Sequence, residues 1–171
     1  VQTQKVEVVS SNPTNDSTIK LKVTGVGWPW MKIGFNPNCQ DGEWEIFSYE
    51  KTLTLPASQF NREVLISVMF SDRDSADSIC YVTSVTHDNK GPEIVLKRYP
   101  APSIEEGAAP EIEYQITDVS GVHSAICGLN GVQKSCPAGG PHVVSMTALP
   151  EGSYDFLISA VDSLGNRSQA N

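Results

Sequence analysis

Hydrophobic and polar residues alternate along most of this chain. In residues 62–70, REVLISVMF, the alternation places Val64, Ile66, Val68 and Phe70 on one face. Residues 110–116 (PEIEYQI) and 153–161 (SYDFLISAV) show the same period, and no stretch keeps a helical period for long. A period of two residues is typical of a β-strand with one buried face. The pattern therefore predicts an all-β protein.

Eight further short segments also have the composition of strands: QKVEVVS, TIKLKVT, WMKIGF, EKTLTL, SICYVTSV, EIVLKR, VHSAICG and PHVVSMTAL. Clusters of turn-forming residues, such as SNPTND, NPNCQDG and PAGGP, separate them. Many short strands with frequent turns are typical of a β-sandwich rather than of an α/β enzyme core.

The two halves of the chain repeat one another. In each half an alternating strand runs into an aspartate, and a serine follows six residues later (Asp72 with Ser78, Asp162 with Ser168). Upstream, Cys39 in CQDGEW corresponds to Cys127 in CGLNGV. The polar segment HDNKGP between the halves has the composition of a tight linker. We therefore expect two domains, 1–88 and 89–171, with a linker near 87–92.

Charge and composition exclude several classes of function. The 171 residues carry a net charge of −8, and the 12 lysines and arginines are scattered, so the chain should repel phosphate backbones and bind no nucleic acid. Its longest apolar runs, such as FLISAV, are far short of the roughly 20 residues of a membrane span. Because no leader-like segment begins the chain, we expect a mature form or an excised piece.

The four cysteines, Cys39, Cys80, Cys127 and Cys136, do not follow a metal-binding or redox pattern. Zinc sites usually contain close C-x₂₋₄-C pairs, thioredoxin-like chemistry needs C-x-x-C, and this chain has neither. An even number of cysteines without these motifs favours disulfides, and disulfides favour an oxidising compartment.

The second half resembles a known kind of repeat. In SAICGLNGVQKSCPAGGPHVVSMTALPEGSYDFLISAVDSLGNRS, a cysteine, a glycine-containing turn and a second cysteine precede a strand that ends in Ala-x-Asp-x-x-Gly-Asn. This order is similar to the bacterial immunoglobulin-like (Big-type) repeats of large surface adhesins and fibre proteins. DNKGPEIVL is similar to the Asp-x-x-x-Pro entry of the same domains. Residues 1–88 resemble a divergent relative and depart from the pattern at SDRDSAD, which lacks the Gly-Asn ending.

The resemblance implies two tandem immunoglobulin-like or fibronectin III-like β-sandwiches, extracellular or at a bacterial cell surface. We expect one disulfide within each domain, Cys39–Cys80 and Cys127–Cys136. In the second pair, Cys127 should end one strand and Cys136 should begin the return strand, with Gly128 and Gly131 in the turn. A link between the domains is the alternative.

Three tryptophans lie in the first half, at Trp28, Trp30 and Trp44. Alternation predicts that Trp28 and Trp30 share a face. We expect at least one tryptophan, Trp30 together with Phe35 or Trp44, to fill the core of the first sandwich. The alternative is an exposed platform that stacks on sugar rings or contacts a protein.

Four aspartates and one asparagine form a candidate calcium site. Calcium needs six to eight oxygen ligands, which two loops and a linker could supply (Asp72, Asp74, Asp88, Asn89 and Asp118). Cadherin-like tandem modules hold calcium at their junctions, and HDNKGP is loosely similar to such a junction. The simpler interpretation is turn chemistry, because no EF-hand pattern is present and aspartate is common in β-turns.

Catalysis has little support in the sequence, because no nucleophile elbow, Walker loop or zincin helix is present. We expect His87 and His123 to be surface or turn residues.

The sequence thus favours a non-catalytic stalk or adhesion module that contacts neighbouring immunoglobulin-like domains of its own chain. A second possibility is a tip module that binds a glycan or protein on a host, prey or other cell surface. A third is an accessory domain of a secreted enzyme.

Overall fold

The computed structural model describes residues 4–74 and 76–171. The chain divides into two compact units, unit 1 (Val1–Asn89) and unit 2 (Lys90–Asn171). The described residues contain fourteen strands and no helix, which confirms the predicted all-β class. Within the same residues, no helix has the length and apolar character to span a membrane.

Unit 1 is a sandwich of two antiparallel sheets, one with strand order β1-β2-β5 and one with order β4-β3-β6-β7. Its strands are β1 (Lys5–Val8), β2 (Thr18–Thr24), β3 (Trp30–Gly34), β4 (Trp44–Ile46), β5 (Glu50–Thr54), β6 (Arg62–Ser71) and β7 (Tyr81–His87).

Unit 2 repeats this topology strand for strand, with sheets ordered β8-β9-β12 and β11-β10-β13-β14. A three-stranded sheet that packs on a four-stranded sheet is the immunoglobulin-like and fibronectin III-like arrangement. The strands are β8 (Glu93–Arg98), β9 (Glu111–Thr117), β10 (Val122–Leu129), β11 (Val132–Ser135), β12 (Gly139–Ser145), β13 (Phe156–Asp162) and β14 (Arg167–Ala170).

The core of unit 1 lies between its two sheets. The predicted face of β6 is fully buried, and it packs against Ile19, Leu21 and Val23 of β2. Phe70 is the largest of these side chains, and its ring lies 5.8 Å from that of Tyr81 and 6.1 Å from that of Phe47. Burial of each large apolar side chain stabilises the sandwich by about 1.5–3 kcal/mol.

The core of unit 2 is built around Tyr114. This residue is fully buried between Ile112 and Ile116 of β9, as the alternation predicts, and it packs with Ile158 and Ala160 of β13. Its hydroxyl donates a hydrogen bond to the carbonyl of Pro137, 3.1 Å away. The buried hydroxyl of Tyr114 therefore has a hydrogen-bond acceptor, and desolvation raises the pKa of Tyr114.

Both expected disulfides are present, Cys39–Cys80 and Cys127–Cys136, with Cα–Cα distances of 5.8 and 5.7 Å. Their surroundings differ from the prediction. Cys127 lies inside β10 rather than at its end, and Gly128 is also a strand residue. The β10–β11 turn is formed by Asn130 and Gly131, whose φ angles of 48° and 82° fit a type I′ hairpin turn.

The cysteines of the two units do not occupy equivalent positions. Cys39 lies in the loop between β3 and β4, whereas Cys127 is a β10 residue. The two disulfides therefore fix different parts of the same topology. His87, expected at the surface, is the buried last residue of β7, and its Nδ1 lies 2.9 Å from the carbonyl oxygen of Gln59.

Candidate functional site

The outer face of the β4-β3-β6-β7 sheet carries two of the three tryptophans. In β3, Met31 points into the core, so Trp30 and Lys32 lie on the opposite face. Lys32 of β3 pairs with Trp44 of β4, so the second tryptophan lies on the same face of the sheet. Both rings are half-buried.

The expectation that Trp30 fills the core is therefore wrong, as is the expectation that Trp28 and Trp30 share a face. Trp28 precedes β3 and packs against the core, where Phe35 also packs. Trp30 is excluded because Met31, its neighbour in the strand, occupies the inward position. A strand can place only one of two adjacent side chains on a given face.

Two cations stack on these tryptophans. The Nζ of Lys32 lies 5.2 Å from the ring centroid of Trp44, and the guanidinium carbon of Arg73 lies 4.8 Å from the ring centroid of Trp30. Cation–π contacts at such exposed sites contribute about 0.5–1 kcal/mol each. They hold the rings in place and keep both cations on the outer face. The sequence analysis identified neither Lys32 nor Arg73 as a site residue. Lys32 could have been found, because it lies two residues from Trp30 and therefore on the same face of the strand.

The loop between β3 and β4 is fixed beside this face by Asp41. Its Oδ2 accepts a hydrogen bond from the backbone N–H of Phe35 at 2.7 Å, and its Oδ1 accepts one from Asn36 at 2.9 Å. Burial opposes ionisation of this carboxyl. The two backbone hydrogen bonds and the charge of Lys32 outweigh that effect, so the pKa of Asp41 lies below its ordinary value.

A cleft of about 350 Å³ opens beside Trp44, and we refer to it as the Trp44 cleft. Trp44 forms part of its wall, and the remaining lining comes from Ser71, the last residue of β6, and from the loop that follows it (Arg73, Asp74, Ala76 and Asp77). The volume is at the small end of the range for ligand pockets, about 300–1,000 Å³. The lining combines an aromatic ring, a guanidinium, a hydroxyl and two carboxylates.

Side-chain hydrogen bonds hold the loop after β6. The Oδ1 of Asp72 accepts hydrogen bonds from the N–H groups of Asp74 and Ala76, both at 2.9 Å, and Ser71 Oγ accepts one from Arg73 at 2.8 Å. Arg73 has a φ of 65°, a left-handed conformation that non-glycine residues rarely adopt. These hydrogen bonds hold the backbone at Arg73, Asp74 and Ala76, from which the carboxylates and the guanidinium extend.

The corresponding loop of unit 2 has the same hydrogen-bond pattern. Asp162 Oδ1 accepts hydrogen bonds from the N–H groups of Leu164 and Asn166, both at 2.8 Å. These are the residues two and four positions later, as with Asp72. The aspartates that mark the sequence repeat are therefore equivalent loop-fixing residues.

The residues of the predicted calcium site differ in burial. Asp72 and Asp74 follow β6, and within the described residues neither belongs to a group of three potential metal ligands. Asp88 is buried rather than in an exposed linker, and its N–H donates to the carbonyl of Thr14 at 2.9 Å, whereas Asn89 is exposed.

In unit 2, the carboxylate of Asp118 lies within 4.8 Å of that of Asp162. Asp118 Oδ1 accepts hydrogen bonds from the N–H and the Oγ of Ser120, at 2.8 and 2.7 Å. Turn chemistry thus accounts for part of the role of Asp118, and calcium binding stays a prediction.

A second opening, of about 470 Å³, lies in unit 2 between β11 and β12. It is mostly apolar, and its lining includes Leu129, Val132, Val144, Met146, Tyr154 and Phe156. In unit 1, the connection that follows β4 carries Phe47, which packs against Phe70 of the core and has Tyr49 at an edge-on distance of 4.8 Å. The corresponding connection of unit 2 has the same length, three residues (136–138), but carries no aromatic residue.

Comparison with known proteins adds little to this description. No protein-family model matches the chain, and no curated protein matches it either. Among solved structures, the chain is similar to one described as "Structures of Clostridium thermocellum CbhA fibronectin(III)-like modules", with 15% identity over 95% of this chain and 88% of that chain. The TM-score is 0.39, so the fold assignment rests on the strand order of the two units. The resemblance to Big-type repeats stays a hypothesis.

Proposed function

We propose that this chain is a non-catalytic, extracellular pair of immunoglobulin-like modules from a bacterial surface adhesin or fibre, with a stalk or adhesion role. The observation that carries the proposal is that each unit has its own core and its own disulfide. Two disulfides are compatible with an oxidising, extracellular setting. β7 ends at His87 and β8 begins at Glu93, so a short segment joins the two units.

The disulfides suit a module that carries mechanical load. A chain segment enclosed by a disulfide cannot extend when the module is pulled from its ends. Cys39–Cys80 spans 41 residues, which removes about 140 Å of extension from unit 1, and Cys127–Cys136 spans nine, which removes about 30 Å from unit 2. Each unit would therefore yield less length on unfolding than its residue count implies.

Single-molecule pulling of the intact chain, with and without reductant, tests the mechanical part of the proposal. Reduction should lengthen the two unfolding steps by about 140 and 30 Å.

An antibody raised against the chain should label intact cells that make the natural protein, and external protease should remove the label. Labelling that appears only after lysis would contradict an extracellular role.

A second candidate function is ligand recognition at a tip, because unit 1 displays Trp30 and Trp44 on its outer face beside a cleft. Tryptophan emission tests the exposure of these rings. Acrylamide should quench part of the emission in the folded protein, and Trp44→Phe should remove much of the quenchable fraction. Emission that the quencher does not reach would remove the basis for this candidate.

A further inference from the structure

We propose that the Trp44 cleft binds a pyranose ring of a neutral glycan. This inference rests on the second candidate function and names its ligand class. The argument combines the aromatic wall of the cleft, its polar wall and its charge balance.

The aromatic wall matches the apolar side of a sugar. The face of an indole ring carries a negative partial charge from its π-system, and the axial C–H bonds of a pyranose present a weakly positive, apolar face. Trp44 lines the cleft and is half-buried, so part of its ring is accessible. The contact with Lys32 and the pairing of β4 with β3 hold this ring in position before any ligand arrives, which lowers the entropic cost of binding.

The polar wall matches the hydroxyl groups of a sugar. Each hydroxyl both donates and accepts hydrogen bonds, so a complementary site needs acceptors and donors side by side. Asp74 and Asp77 supply acceptors, and Arg73 supplies donors, within one cleft. Both carboxylates belong to exposed residues, so their oxygens can reach a ligand in the cleft.

The charges favour a neutral ligand over an acidic one. Two carboxylates line the cleft, whereas Arg73 is the one cation among the described lining residues and already stacks on Trp30. A uronate, sulfate or phosphate in the cleft would meet like charges, which raise the free energy of binding. Asp72 accepts hydrogen bonds from the backbone N–H groups of Asp74 and Ala76, which holds the main chain next to both carboxylates.

The test uses the intact chain and a panel of soluble oligosaccharides, measured by isothermal titration and by tryptophan fluorescence. The neutral probes are oligomers of glucose, galactose, mannose and N-acetylglucosamine. An oligomer of galacturonic acid and a lysine-rich peptide serve as the acidic and basic alternatives. At least one neutral oligosaccharide should bind and alter the emission, and the galacturonic acid oligomer should bind at least about tenfold more weakly.

Variants locate the binding. Trp44→Ala should weaken it at least tenfold, Trp44→Phe should weaken it less, and Asp77→Asn should weaken it severalfold by removing a charged acceptor. Tyr99→Ala in unit 2 is the matched control, because it removes an aromatic side chain that is 69% exposed, and it should change nothing. Far-UV circular dichroism and the melting midpoint confirm that each variant is folded.

Three results would overturn the inference: no neutral oligosaccharide binds, Trp44→Ala binds as well as the parent protein, or only the acidic oligomer or the basic peptide binds. None of them affects the cell-surface labelling or the pulling experiment. Failure here is therefore distinguishable from failure of the adhesin or fibre proposal.

Discussion

Removal of the disulfides should destabilise the two units unequally, and the structure gives the order. In the chain-entropy model, the stabilisation grows with the logarithm of the enclosed loop. The Cys39–Cys80 loop spans 41 residues and the Cys127–Cys136 loop spans nine. The model gives about 4 kcal/mol for the first and about 2.6 kcal/mol for the second. Reduction should therefore lower the free energy of unfolding more in unit 1 than in unit 2.

The distribution of tryptophan makes the measurement selective. All three tryptophans belong to unit 1, so tryptophan emission follows the unfolding of that unit alone, whereas far-UV circular dichroism follows both. A loss of 1 kcal/mol shifts the midpoint of a domain of this size by about 4–8 °C. Cys39→Ala with Cys80→Ala should thus lower the fluorescence midpoint by at least about 16 °C.

The matched control is Cys127→Ala with Cys136→Ala, which also removes two sulfur atoms. It should leave the fluorescence midpoint unchanged and shift the second transition in the dichroism by about 10–20 °C. Reduction of the parent protein should reproduce both shifts without changing any side-chain volume. A larger shift in unit 2 than in unit 1 would refute the loop-length argument.

Three further predictions each change one residue of unit 2. Asp162→Ala should destabilise this unit by about 3 kcal/mol, because three charged hydrogen bonds to a buried carboxylate are lost, whereas Asp155→Ala at an exposed position should have little effect in the same urea titration. The raised pKa of Tyr114 means that unfolding releases its proton near pH 10 while the folded unit still holds it. Stability is therefore fully present below pH 10 and declines above it, and Tyr114→Phe should flatten that decline when melting midpoints are compared from pH 8 to 11. Calcium, predicted from the acidic residues, should raise the melting midpoint of metal-free protein and lose affinity in Asp118→Asn; a calorimetric titration without heat would refute it.

The sequence predicted eleven of the fourteen strands because in most of them less exposed and more exposed residues alternate, although β5 and β8 contain no fully buried residue. The three that it missed are β4, β11 and β14, and all three are edge strands of the four-stranded sheets. An edge strand pairs on one side only, and its side chains need not alternate. All four residues of β11, VQKS, are exposed, so this strand shows no alternation of buried and exposed residues. Main-chain hydrogen bonds to β10 define this strand instead.

The site was harder to predict than the fold. The segment WMKIGF contains large apolar residues in both phases of the alternation, and a shift by one residue exchanges its two faces. Lys32 shares a phase with Trp30 and marks that phase as the outer one, so the sequence did hold the necessary signal. Arg73 and Asp77 join the cleft through the conformation of the loop after β6, which depends on tertiary packing and on the left-handed backbone at Arg73.

The placement of the cysteines has a consequence for how tandem copies of one topology fold without error. Equivalent strands of neighbouring repeats can exchange during folding, and such misassembly is a characteristic failure of repeat proteins. Here an exchange of β3 with β10 would move Cys127 into unit 1, where its disulfide partner Cys136 is absent. Correct oxidation therefore requires each unit to be built from its own strands, and the disulfides act as a covalent check on assembly.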